Sequence, residues 1–103
     1  MIEKLTKSDN TSRAAYKVKL SSYFYIFIEE LDTNKYLIEC KELENSIYHT
    51  HFAEIVNDYI SSAFAKGADK AYKIAKSKNR GWDYADHYIK TGKIMLEFIE
   101  KYK

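Results

Sequence analysis

Proline is absent from the 103 residues, and glycine occurs only at Gly67, Gly81 and Gly92. Proline breaks helix interiors and glycine weakens them, so long stretches of this chain are free to be helical. The same scarcity leaves little room for long irregular loops. Cys40 is the only cysteine, which excludes an intrachain disulfide and a thiolate metal cluster. It reads as a small core residue. No apolar run approaches the length of a membrane span. The opening residues MIEKLTKSDN have no signal-peptide core, so a cytosolic protein is expected. A glycine-rich phosphate loop, a serine elbow and a zinc signature are also missing. No cofactor and no metal are therefore expected.

What the chain has is aromatic residues and segregated charge. Ten Tyr, five Phe and one Trp make up 16% of the sequence. Large rings supply much buried area to a small core, and tyrosine also suits a surface that meets a partner. The net charge is +2, but residues 1–28 carry +3, residues 29–65 carry −6 and residues 66–103 carry +5. Such a dipolar molecule attracts partners of either sign. The length fits one domain over residues 1–103, with residues 1–10 as a loose start.

The spacing of apolar residues predicts helices. Ser8–Arg13 is rich in capping residues, and Tyr16, Leu20, Tyr23, Phe24, Phe27, Ile28 and Leu31 then recur at steps of three and four. Asp32-Thr33-Asn34 supplies a break. A second stripe runs from Tyr36 through Leu37, Cys40, Leu43 and Ile47, and on to Ala63. Unbroken, it would be about 48 Å long, so a kink or break is expected between Asn45 and Thr50, or else a dimer using the overhang. Gly67 interrupts before a short Ala-rich helix, which stops at Asn79-Arg80-Gly81. Asp83 caps a last helix, with Asp86 completing a capping box. That helix carries Ala85, Tyr88, Ile89, Gly92, Met95, Leu96, Ile99 and Tyr102 on one side, and Gly92 predicts close approach of a neighbouring helix. The expected fold is an all-α bundle of three to five helices. The alternative is α+β, with a β-meander at 16–40 followed by helices: Tyr16–Leu20 alternates strictly, and Tyr23–Ile28 has strong strand propensity.

Three features carry candidate chemistry. Lys66, Lys70, Lys73, Lys76 and Arg80 form a basic segment suited to phosphates, beside Tyr72 and Trp82, rings on which unpaired bases can stack. His49, His51 and His87 with Glu54, Asp83 or Asp86 are the residues available to a divalent metal, against their reading as surface or cap histidines. Arg80 and His87, with six residues between them, resemble the Arg-x(4–6)-His motif of the higher eukaryote and prokaryote nucleotide-binding ribonucleases. That resemblance implies a helical bundle whose arginine and histidine act on an RNA phosphodiester. The preferred reading is none of these. It is a non-enzymatic regulator, inhibitor or immunity-type factor, of a kind familiar from bacterial or viral mobile elements, working by protein contact as a homodimer. Its expected interface is Tyr23, Phe24, Tyr25 and Phe27, with the acidic residues Glu39 and Glu42. A nucleic-acid-binding module is the second reading and the ribonuclease the third.

Overall fold

Aromatic and β-branched residues dominate the first half of the chain, and these pack best on a pleated surface. In the computed structural model, which describes residues 2–5, 14–79 and 82–102, that half forms strands β1 (Ile2–Leu5), β2 (Ala15–Lys19), β3 (Phe24–Asp32), β4 (Lys35–Glu44) and β5 (Ile47–Val56). Two helices follow, α1 (Ile60–Ser77) and α2 (Tyr84–Tyr102). The strands form one antiparallel meander in the order β1-β2-β3-β4-β5.

The all-α bundle is therefore overturned by a five-stranded sheet, and the α+β alternative fits. Its meander is longer than 16–40, running from Ile2 to Val56. The helical stripe misled for a definite reason. Residues four apart share a side in both a helix and a strand. Tyr16, Leu20, Phe24 and Ile28 are four apart and all lie in the core. The three-residue steps discriminate, and they fail: Tyr23 and Leu31 are exposed and Phe27 is half-buried.

The break expected between Asn45 and Thr50 is a hairpin turn. Asn45 and Ser46 both take positive φ, at 52° and 64°. Left-handed residues at both central positions match the right-handed twist of the flanking strands. Asn34, with φ of 51°, serves the β3–β4 hairpin. Ser8–Arg13, expected to cap a helix, lies outside the described residues.

Both helices cover the same face of the sheet. Val18, Leu20, Phe24, Ile26, Ile28, Ile38 and Cys40 point towards them and are buried. Helix α1 lies over β3, β4 and β5, and α2 reaches β1. The buried side of α1 is Ala63, Phe64, Gly67, Ala68, Ala71, Tyr72 and Ala75, mostly small residues that let helix and sheet approach closely. Gly67 does not interrupt the helix as expected; it sits within it. A Cβ built there would lie 3.2 Å from Ile26 Cγ2. The Cys40 thiol donates to the Gly67 carbonyl at 3.2 Å, and burial pushes its pKa up to about 12. Helix α1 gives way at Asn79, whose φ is 58°.

Rings fill the space beneath α2. Phe98 stacks on Phe64 at 5.7 Å and meets Tyr16 edge-on at 5.5 Å. Only His87 and Phe98 of α2 are fully buried. The apolar stripe read as the core side of this helix is therefore largely outside: Tyr88, Ile89 and Leu96 are 60%, 57% and 64% exposed.

Candidate interaction surface

Side chains alternate across a strand, so a sheet covered on one face presents every second residue to the other. The register places Ala15 opposite Glu29, Lys17 opposite Phe27 and Lys19 opposite Tyr25. Tyr25 in turn pairs with Lys41, and Phe27 with Glu39. Leu37 pairs with Ile55, and Leu43 with Tyr48. These residues line the face away from the helices.

Three rings lie at its centre. Tyr48 meets Tyr25 edge-on at 5.5 Å and Phe27 edge-on at 5.3 Å. The Lys41 ammonium stands 4.7 Å from the Phe27 ring centre, and that of Lys17 stands 6.0 Å from Tyr25. Tyr25 is only 8% exposed although no helix covers it, because its neighbours do. Tyr48 and Ile55 remain 38% and 48% exposed.

Charge on this face is internally matched. Lys17 pairs with Glu3 at 3.1 Å, and the Glu3 carboxylate holds the Lys17 ammonium above its ordinary pKa. Lys41 pairs with Glu39 at 3.9 Å. A surface that neutralises itself and offers rings and aliphatic side chains recognises by packing rather than by net charge.

The structure separates the residues expected at an interface. Tyr25, Phe27 and Glu39 share the uncovered face, and Tyr23 is exposed beyond its edge. Phe24 and Glu42 point the other way and are 1% exposed. Glu42 is held at the end of the core, its Oε1 accepting from Lys78 Nζ at 2.8 Å and lying 2.8 Å from His51 Nε2. Tyr48, Leu43 and Ile55 were missed in the sequence. The signal was the alternation within β4 and β5, once those segments are read as strands.

The basic segment is dispersed. Lys66 donates to Glu54 at 2.8 Å, and Lys70 lies 5.2 Å over the Phe52 ring. Lys73 and Lys76 face solvent, and Arg80 lies outside the described residues. Tyr72 and Trp82 are each 6% exposed. Their rings pack edge-on at 5.9 Å, and Tyr72 also stacks on His87 at 4.1 Å. Neither offers an open face to a base.

The histidines do not converge. His49 and His51 are on β5, whereas His87 is buried on α2. Among the described residues no three His, Cys, Asp or Glu side chains gather closely enough to hold a metal ion. His87 Nε2 is 3.6 Å from Asp69 Oδ1, and its Nδ1 is 3.2 Å from Thr91 Oγ1. Burial lowers the imidazole's pKa, and the Asp69 carboxylate opposes that. His87 lines a groove of 540 Å³ between the helices. The helical bundle implied by the Arg80–His87 resemblance is absent: its histidine stands on a helix packed beside a five-stranded sheet. No helix among the described residues is long and apolar enough to cross a membrane. No family model, curated protein or solved structure matches the chain.

Proposed function

We propose that this chain is a non-enzymatic interaction protein, a regulator, inhibitor or immunity-type factor, whose partner is another protein docked on the uncovered sheet face. One observation carries the reading. The helices cover one face of the sheet, while the other presents the Tyr25–Tyr48–Phe27 cluster with Leu37, Leu43 and Ile55. The ion pairs Lys17–Glu3 and Lys41–Glu39 cancel the charge beside them. The partner that fits is a folded protein with an apolar, uncharged patch, anchored by rings in the manner of interface hot spots. Self-association as a homodimer belongs to the same reading. A cytoplasmic setting belongs to this reading, since a single buried thiol suits a reducing compartment.

The test is photo-crosslinking in cells from two positions of the full chain, with a photoreactive residue replacing either Tyr48 or Lys73. The expected result is one discrete protein adduct from position 48, abolished by Phe27→Asp, and none from position 73. Fluorescence anisotropy against single-stranded RNA and double-stranded DNA is run beside it. Tight nucleic-acid binding that falls steeply with salt, and that disappears on charge reversal at Lys70, Lys73 and Lys76, would overturn the proposal.

A further inference from the structure

Among the described residues, the strand order leaves one side of β1 and one side of β5 without a neighbour. Strand β1 has four residues and carries Glu3 and Lys4, whereas β5 has ten. The outward N–H and C=O groups of such an edge are a template for another strand, and short length, lysine or proline usually guards against that. Strand β5, with the sequence IYHTHFAEIV, has no lysine, arginine or proline. Its one carboxylate, Glu54, accepts from Lys66 of α1. Every residue from Ile47 to His51 is exposed, Ile47 at 59%.

Strand β5 also carries a bulge. Cys40 pairs with Phe52 and Lys41 with Thr50, so His51 is an extra residue and the alternation of sides reverses there. Tyr48 and Thr50 before the bulge, and Ala53 and Ile55 after it, share the uncovered face with Leu43, Lys41, Glu39 and Leu37. Ile47, His49, Phe52, Glu54 and Val56 lie on the helix side. We propose that a second copy of this chain pairs with β5 through its own β5, antiparallel, about a two-fold axis between His51 and Phe52. Such an axis stands normal to the sheet and keeps each face continuous, so every residue must meet one from its own face. In a regular ten-residue strand that fails at full overlap, because residues an odd number apart face opposite ways. A bulge can blunt an edge; this one makes the strand self-complementary. Tyr48 meets the copy's Ile55 and Thr50 its Ala53 on the uncovered face, while Ile47 meets Val56 and His49 meets Glu54 on the helix side. Rings lie against aliphatic chains, the acid lies against an imidazole, and no like charges meet. Any other register leaves residues at the strand ends unpaired. The product is one ten-stranded sheet, built from two five-stranded ones, with all helices on one face and both Tyr25–Tyr48–Phe27 clusters on the other.

This inference rests on the self-association named above and is independent of the partner on the sheet face. It is tested by sedimentation velocity of the full chain over a concentration series, together with disulfide trapping. The wild type should dimerise. Tyr48→Cys with Ile55→Cys should form a covalent dimer on mild oxidation, because facing Cα atoms of paired strands are about 4.5–5.5 Å apart, within disulfide reach. The two positions of one chain are about 20 Å apart along the strand, so the bond reports contact between copies. Tyr48→Cys alone should trap nothing, since its counterpart in the copy is equally distant. The native thiol of Cys40 is buried and takes no part. Thr50→Lys with Ala53→Lys sets lysines against each other across the axis and should give a monomer with unchanged circular dichroism. A wild type that stays monomeric at high concentration would overturn the proposal, as would a lysine variant that dimerises normally. A dimer that the paired cysteines fail to trap, or that Tyr48→Cys alone traps, would refute the β5 pairing while self-association stands. Phe27→Asp should leave the dimer intact. In the crosslinking above, the copy then appears from position 48 as a product of twice the chain's own mass, which Phe27→Asp leaves in place while the partner adduct disappears.

Discussion

The same substitution, glycine to alanine, should have opposite effects at the two described glycines. In a helix interior alanine is favoured by about 0.8–1.0 kcal/mol over glycine. At Gly92 nothing opposes that gain, since an added Cβ meets no atom within 4 Å. Gly92→Ala should therefore stabilise the monomer by about 1 kcal/mol. At Gly67 the new methyl would lie 3.2 Å from Ile26 Cγ2, 3.4 Å from its Cδ1 and 3.6 Å from its Cβ. Ile26 is fully buried, so to admit the methyl it must shift by a few tenths of an ångström against the side chains around it. Overpacking of this kind costs about 1–3 kcal/mol, which exceeds the propensity gain. The net expected effect of Gly67→Ala is a loss of about 1 kcal/mol. It should appear as a fall of roughly 4 °C in midpoint temperature for a domain of this size. The assay is urea and thermal unfolding followed by circular dichroism, at concentrations dilute enough to keep the chain monomeric. If Gly67→Ala stabilises as much as Gly92→Ala, helix α1 does not approach the sheet at Ile26, and the packing described above is wrong.

Two further predictions concern buried polar groups. His87 has its pKa lowered by burial from the ordinary value of 6.5, so at mildly acid pH the unfolded chain binds a proton that the folded chain resists. The stability contributed by neutral His87 is present above pH 6.5 and is lost as the pH falls through 6.5 towards the lowered value. Thermal midpoints measured across that range should fall less steeply for His87→Gln than for the wild type; equal slopes would refute the assignment. Glu42, 1% exposed on its side chain, pairs with Lys78, which is 41% exposed. Glu42→Gln should cost about 1–3 kcal/mol. A double-mutant cycle with Lys78→Met should show a coupling of about 1 kcal/mol, reduced by the lysine's exposure. Strictly additive single variants would show that the pair contributes nothing.

The residues of the candidate surface were half legible. Tyr25 and Phe27 stand out in any reading because an all-apolar run demands cover on more than one side. Phe24, next to Tyr25, falls on the same surface as Phe27 in a helical reading, because residues three apart share a helix side but not a strand face. Glu42 was placed with Glu39 because both fall in an acidic stretch, yet on a strand three residues apart means opposite faces. Tyr48 and Ile55 lie on β5, whose spacing had been merged with that of α1 into one stripe.

By itself the sequence determined where the chain turns, which residues are large and apolar, and how charge is divided along it. Asp32–Asn34, Asn45–Ser46 and Asn79 interrupt regular structure wherever the long-range fold goes, because their backbone preferences are local. Composition also settled that Cys40 makes no disulfide within the chain. Only the tertiary structure decided between helix and strand for residues 14–56, because residues four apart share a side in both and a strand is stabilised by neighbours distant in sequence. It also decided which of two apolar faces is covered, on the sheet and on α2 alike. Hydrophobicity marks a side chain as seeking cover; whether its own chain or another supplies that cover depends on where the helices come to rest.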